Sequence, residues 1–171
     1  MRKLTAIALS LLIALPLMAC GGGGEITEEG RQDYQVTVRE PMEKFIETHN
    51  LIKDNGHSSI ANATDIYSAY EGLANSAKAS KSNGDRLSEI DAPDYLSKDQ
   101  KELFRTAKSD LGSGATGLQT AFQDLAKAVD QADLGPATLR EYQDMIAWTD
   151  AKIASGQDAL EQLNQSMEPA E

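Results

Sequence analysis

Between Leu139 and Met167, nine residues follow one another in steps of three and four without a break: Leu139, Tyr142, Ile146, Thr149, Ile153, Gly156, Leu160, Leu163 and Met167. On a helix that spacing draws a single stripe, whereas on a strand it would scatter the same residues over both faces. The segment before it repeats the pattern with Phe104, Ala107, Leu111, Gly114, Leu118, Ala121, Leu125, Ala128 and Ala132. Two long one-sided helices in succession must bury their stripes against each other and against further helices.

Punctuation around both stripes agrees with this reading. Thr138-Leu139-Arg140-Glu141 and Ser97-Lys98-Asp99-Gln100 have the spacing of capping boxes. Each follows a breaker, Gly135-Pro136 and Ala92-Pro93 respectively. Upstream, Ile60, Ala63, Tyr67, Tyr70, Ala74 and Ala77, then Gly84, Leu87 and Ile90, form another stripe, with "KSNGD" as a weak place in it. The first stripe carries Tyr34, Val38, Met42, Phe45, His49 and Ile52 and is expected to end at Asn55-Gly56. Pro41 should kink that helix or mark its start, and "YQVTV" alternates in the manner of a strand. The fold class expected is all-α: an antiparallel up-down-up-down four-helix bundle spanning residues 28–168, with helices near 28–54, 58–90, 98–132 and 139–167.

Counting outward from the expected turns matches heights across the bundle. Gly114 and Gly156 lie equally far from Gly135, Ala77 falls at that level on the second helix, and Tyr34 on the first. This small-residue layer of Tyr34, Ala77, Gly114 and Gly156 implies either close backbone approach or a cavity, with close packing the commoner meaning. Glycine inside a helix costs about 1 kcal/mol relative to alanine, so the cluster in "LGSGATG" needs an offsetting gain. The same counting sets His49 near Tyr142, a candidate hydrogen-bond partner, and puts Phe122 level with Trp148 at the edge of the last seam.

The amino-terminal residues "MRKLTAIALSLLIALPLMAC" have a positive head at Arg2 and Lys3, an apolar run and small residues before the chain's single cysteine, Cys20. This is the layout of a secretory signal, too short for a lasting membrane span. Its final residues, Leu17-Met18-Ala19-Cys20, resemble the lipobox of bacterial lipoproteins. The resemblance implies cleavage after residue 19, a diacylglyceryl group on the Cys20 thiol and an acylated new amino terminus, so that residues 1–19 are signal peptide. Residues 20–27 would then be the lipidated cysteine and a linker, with Gly21 to Gly24 a flexible leash of roughly 10–12 Å. Two or three acyl chains anchor a protein durably without a basic patch. The body would face the extracytoplasmic side of a cell membrane or an outer membrane. The stretch "IDAPDYLSKDQKELFRTAKSDL" further resembles the helix-opening I-x-x-P segment of small helical lipoproteins of bacteria, a resemblance that carries no activity with it.

Charge and motifs narrow the functional classes. Against 16 Lys and Arg stand 27 Asp and Glu, a formal net charge of -11, and loss of Arg2 and Lys3 with the leader makes the remainder more acidic. Such a surface repels nucleic acid and anionic headgroups. "GSGATG" lacks the Gly-Lys-Ser/Thr ending of a phosphate loop. Neither histidine offers the inward Glu-x-x-His pairs of a diiron bundle, since Ile46 precedes His49 by three and Asp54 precedes His57 in a turn-like "DNGH". No nucleophile elbow or cofactor motif is present, so no catalytic residue, metal or cofactor is expected. The chain reads as a non-catalytic lipoprotein held to the membrane through Cys20, an interaction or structural module facing another envelope protein. The alternative is a small-molecule-binding bundle resembling the four-helix sensor domains of chemoreceptors.

Overall fold

The computed structural model describes residues 26–168. The expected signal segment (residues 1–19), the expected lipid-attachment residue Cys20 and the expected leash of Gly21 to Gly24 lie outside the described residues. Every regular element within them is helical: α1 (Glu28–Tyr34), a π turn (Gln35–Arg39), α2 (Glu40–Ala61), α3 (Ile66–Ser88), α4 (Lys98–Asp130) and α5 (Pro136–Ser166). The first three form one rod, so the molecule is a four-helix bundle. The most extensive helix–helix interface is between α4 and α5, then between α3 and α4, then between α2 and α3. First and last rods are joined by side chains, Lys53 Nζ to Asp150 Oδ1 at 2.8 Å and the Tyr34 hydroxyl donating to Asn164 Oδ1 at 2.7 Å.

Pro41 neither starts nor breaks the first rod. Lacking an N–H, it cannot continue the regular hydrogen-bond ladder, and the chain widens into a π turn just ahead of it. The Glu40 N–H donates to the Gln35 carbonyl, and the Thr37 hydroxyl donates to the Asp33 carbonyl at 2.8 Å. The alternation in "YQVTV" is overridden because Tyr34, Val38 and Met42 share the buried face.

Three expected helix ends are corrected. The first helix does not stop at Asn55-Gly56 but runs to Ala61. Gly56 is a notch: a Cβ there would lie 2.1 Å from Phe122 Cζ. Helix α3 instead opens with a capping box of Asp65 and Ser68. The last helix is not capped by Thr138; Gly135 is its N-cap and Pro136 its first residue, where a missing N–H costs nothing. The Ser97–Gln100 capping box is present on α4. "KSNGD" does not interrupt α3, because Asn83 Nδ2 donates across to the Phe45 carbonyl at 3.0 Å and Gly84 lies against Ala115. Helix α4 closes with Ala132 at φ 53°, and the Asp133 N–H donates back to the Ala128 carbonyl at 2.8 Å. That is a left-handed stop of the kind glycine makes most cheaply.

The core divides in two. One cluster, near Ile26, holds Tyr34, Val38, Met42, Phe45, Leu96, Phe104, Leu111, Leu160 and Leu163. The other, toward the Asn62–Asp65 turn, holds Ile52, Leu73, Ala77, Leu118, Phe122, Leu125 and Val129. Buried polar side chains, His49, Ser80, Asn83 and Thr149, come from three of the four rods. Ser80 donates to the Ala115 carbonyl at 2.9 Å, which satisfies its hydroxyl. Together with the glycines of α4 these residues form a polar waist between the two clusters.

Candidate functional site

The small-residue layer expected from the sequence is rearranged. Gly114 and Gly156 both lie on the α4–α5 seam, but each receives an aliphatic side chain of the other helix. A Cβ on Gly114 would stand 2.5 Å from Ile153 Cδ1, and one on Gly156 would stand 2.7 Å from Leu111 Cγ. Close approach is therefore what the glycines provide. Tyr34 belongs to another level, bonded to Asn164 near the carboxy-terminal end of α5, and burial raises its hydroxyl pKa well above the usual range. Ala77 belongs to the other cluster, with Leu118 and Phe122. The cause is the first turn: it lies not at Asn55-Gly56 but between Ala61 and Ile66, which slides heights on the first two rods by roughly two helical turns.

The same slide separates His49 from Tyr142. His49 is 1% exposed, packs on Phe45 with ring centroids 6.1 Å apart, and finds no hydrogen-bond partner for either ring nitrogen. Burial, then the neighbouring Lys53 charge, lowers its pKa to about 4, against a smaller opposite pull from Asp150. It is a neutral imidazole at pH 7. Tyr142 instead packs edge-on to His57 at 6.1 Å and against Phe122 at 6.4 Å. Its hydroxyl is likewise unpartnered and is pushed up to about 12 by burial. Among the described residues no group of three or more His, Cys, Asp or Glu gathers as a metal site. No described helix is long and apolar enough to cross a membrane.

Phe122 and Trp148, expected side by side, have opposite fates. Phe122 is fully buried, its ring filling the Gly56 notch. Trp148 is 46% exposed and lies across Gly117, where a Cβ would stand 2.6 Å from its Cζ3. The indole thereby borders two grooves. On one side the α3–α4 groove is polar, with Ser80, Lys81, Asp85, Lys108 and Gln119 among its walls. On the other, the α4–α5 groove encloses about 560 Å³ over Ala121, Leu125, Tyr142, Met145 and Trp148, with Asp124, Thr138, Glu141 and Asp144 at its rim. That volume lies within the range of binding clefts.

Beyond this groove the bundle ends unsealed. Ile60, Ile66 and Leu139 continue the inward stripes of their helices past the last buried layer and stay exposed, Ile66 at 64%. Tyr67 (68%) and Tyr70 in the opening residues of α3 and Leu134 in the α4–α5 connection are exposed at the same end. Isolated apolar side chains on a surface are ordinary, but six at one end of one molecule are not. The stripe expected through Ile60, Ala63, Tyr67, Tyr70, Ala74 and Ala77 is corrected here. Of that run only Ala77 is buried, with Ala69, Leu73, Ser76 and Ser80 as its neighbours on the inner face of α3. Tyr67 and Tyr70 therefore face solvent, while Ile66 and Leu134 belong to no expected stripe. Comparison with protein-family models, with curated proteins and with solved structures finds no match.

Proposed function

We propose that the chain is a lipid-anchored extracytoplasmic interaction module, tethered through Cys20 and engaging another protein of the cell envelope with the end of the bundle farthest from Ile26. The observation that carries this reading is the set of exposed apolar side chains Ile60, Ile66, Tyr67, Tyr70, Leu134 and Leu139 at that one end. The chain enters the bundle at the opposite end, where a lipid on Cys20 and the glycine leash would hold it. An anchor at one pole and an apolar face at the other is the arrangement a tethered docking module requires. The chain's acidic balance suits neither nucleic acid nor anionic lipid as the counterpart.

Two variants test the two poles. Cys20→Ala should move the protein from the membrane fraction to the soluble one, or leave an uncut precursor; unchanged fractionation overturns the anchor. Ile66→Glu with Tyr67→Glu should abolish crosslinking to envelope proteins in intact cells without lowering the melting temperature, because both side chains are exposed. An undiminished crosslinking pattern overturns the docking role.

A further inference from the structure

The amino-terminal half of α5 stands apart from the rest of the bundle. Helix α5 begins at Pro136, yet its buried side chains begin only at Thr149. Opposite it, α4 presents Ala121 and Leu125, both nearly inaccessible, as a floor. Tyr142, Met145 and Trp148 form the wall. From Thr138 to Trp148 this wall rises about 15 Å at 1.5 Å per residue. A docked helix anchored at positions i, i+3 or i+4, and i+7 covers about 10 Å of its own axis, which fits within that length.

Charge selects among the possible occupants. No Lys or Arg lines the groove, and three carboxylates, Asp124, Glu141 and Asp144, stand on its rim. Asp124 is paired with Lys127 at 3.1 Å, whereas Glu141 and Asp144 form no ion pair among the described residues. A second copy of this chain would bring its own net charge of -11 to an acidic rim, which disfavours self-association there. A neutral apolar segment would leave both rim carboxylates uncompensated. A segment with apolar residues on one face and Lys or Arg along its flanks satisfies floor and rim together, and its cations can also lie over the Trp148 ring.

We infer that the α4–α5 groove is the seat of a basic amphipathic helix belonging to the partner protein. This rests on the docking role proposed above and names the chemistry of the partner. Apolar side chains of that helix settle on Leu125, Met145 and Trp148, and its flanking cations face Glu141 and Asp144. Leu139 lies one turn before Tyr142 on α5. The groove therefore opens onto the exposed apolar end, and one ligand can occupy both.

Trp148 is the only tryptophan of the chain, so its emission reports on the two grooves the indole borders, and Met145, which lines the α4–α5 groove and not the α3–α4 one, tells them apart. The full chain in uncharged phosphatidylcholine nanodiscs is titrated with a synthetic amphipathic Leu/Lys helix. The expected result is a saturable blue shift of Trp148 emission. Glu141→Lys with Asp144→Lys should weaken binding at least about tenfold, as loss of complementary charge does. Glu29→Lys with Glu102→Lys, the same change of net charge at the other end, should leave it unaltered. Met145→Glu should abolish the shift at unchanged melting temperature. No shift, or equal weakening by both charge-reversal pairs, overturns the inference. It is also overturned if tetrabutylammonium shifts the emission with the same dependence on Glu141 and Asp144 while the peptide does not, since the groove would then be a small-cation site. A photocrosslinker at Tyr67 and another at Met145 separate this inference from the broader role. Capture of one envelope protein from Tyr67 but not from Met145 keeps the docking module and rejects the groove as its seat; capture from neither rejects both.

Discussion

The two ends of this bundle are made by the same four stripes and finish differently. At the end near Ile26, the connection from Glu89 to Ser97 is long enough to fold back over the core, and it lays Ile90, Ala92 and Leu96 against it. That cover is pinned from both sides. Tyr95 donates its hydroxyl to Asp33 at 2.8 Å, and Gln100 Nε2 donates to the Ser166 carbonyl at 3.1 Å. Lys108 adds its ammonium to the carbonyls of Ser88 and Ile90, where the end of α3 needs a cation. At the far end the turns after Ala61 and Asp130 are too short to fold over anything. The stripes simply run out into solvent, and Ile60, Ile66 and Leu139 are all left exposed. Loop length, more than stripe composition, decides which end is closed.

The sharpest way to break the contrast is at the waist that joins the halves. Gly114→Leu should destabilise the protein by more than about 3 kcal/mol in urea unfolding, because its side chain would need the space of Ile153. A loss under about 1 kcal/mol would mean that the α4–α5 seam is slack. Leu163→Ala, in the closed half, should cost about 3 kcal/mol through cavity formation. Leu139→Ala, the same truncation at the open end of the same stripe, should cost under about 0.5 kcal/mol. Equal losses would show that the open end is closed in solution.

Acid should act on the waist through His49. Its folded pKa is lowered to about 4 while the unfolded chain titrates near 6.5, so the unfolded state binds the extra proton between those values. The associated stability is intact above pH 6.5 and is lost as pH falls toward 4, by up to about 3 kcal/mol. His49→Leu should remove that portion of the slope, read as the difference between the two stability profiles; parallel profiles would refute it. Two further changes should be gains. Ala132→Gly should stabilise by about 1 kcal/mol by relieving the left-handed stop. Gly112→Ala should gain about 0.5–1 kcal/mol, because its Cβ would meet nothing nearer than Leu87 Cδ2 at 3.8 Å. Set beside Gly114→Leu two residues away, this tells a glycine that is needed from one that is not.

The helical class, the bundle and the α4 capping box are legible in the sequence because period and punctuation are local. What failed was register. Asn55-Gly56 has the composition of a helix end, and only the ring of Phe122, distant in sequence, reveals that Gly56 is a notch. A signal was present, since Ile52, Gly56 and Ile60 prolong the first stripe in steps of four. Once the first turn moves, Tyr34, Ala77 and His49 all change neighbours, so a single turn removed Tyr34 and Ala77 from the expected layer while Gly114 and Gly156 kept their seam. The groove was illegible for a different reason. Tyr142 and Ile146 sit at regular core positions, and period alone does not tell that the neighbouring helices leave them half covered.

From Ile26 to Ala61 the first rod extends about 50 Å at the helical rise. At physiological ionic strength electrostatic influence decays over about 8 Å, so with the amino terminus held at a membrane as proposed and the rod standing upright, the far pole would lie some six decay lengths from the surface. Headgroup composition would then not be felt at the tip. Attraction between the tip and a cationic counterpart should depend on dissolved salt in the same way whether the molecule is moored or free.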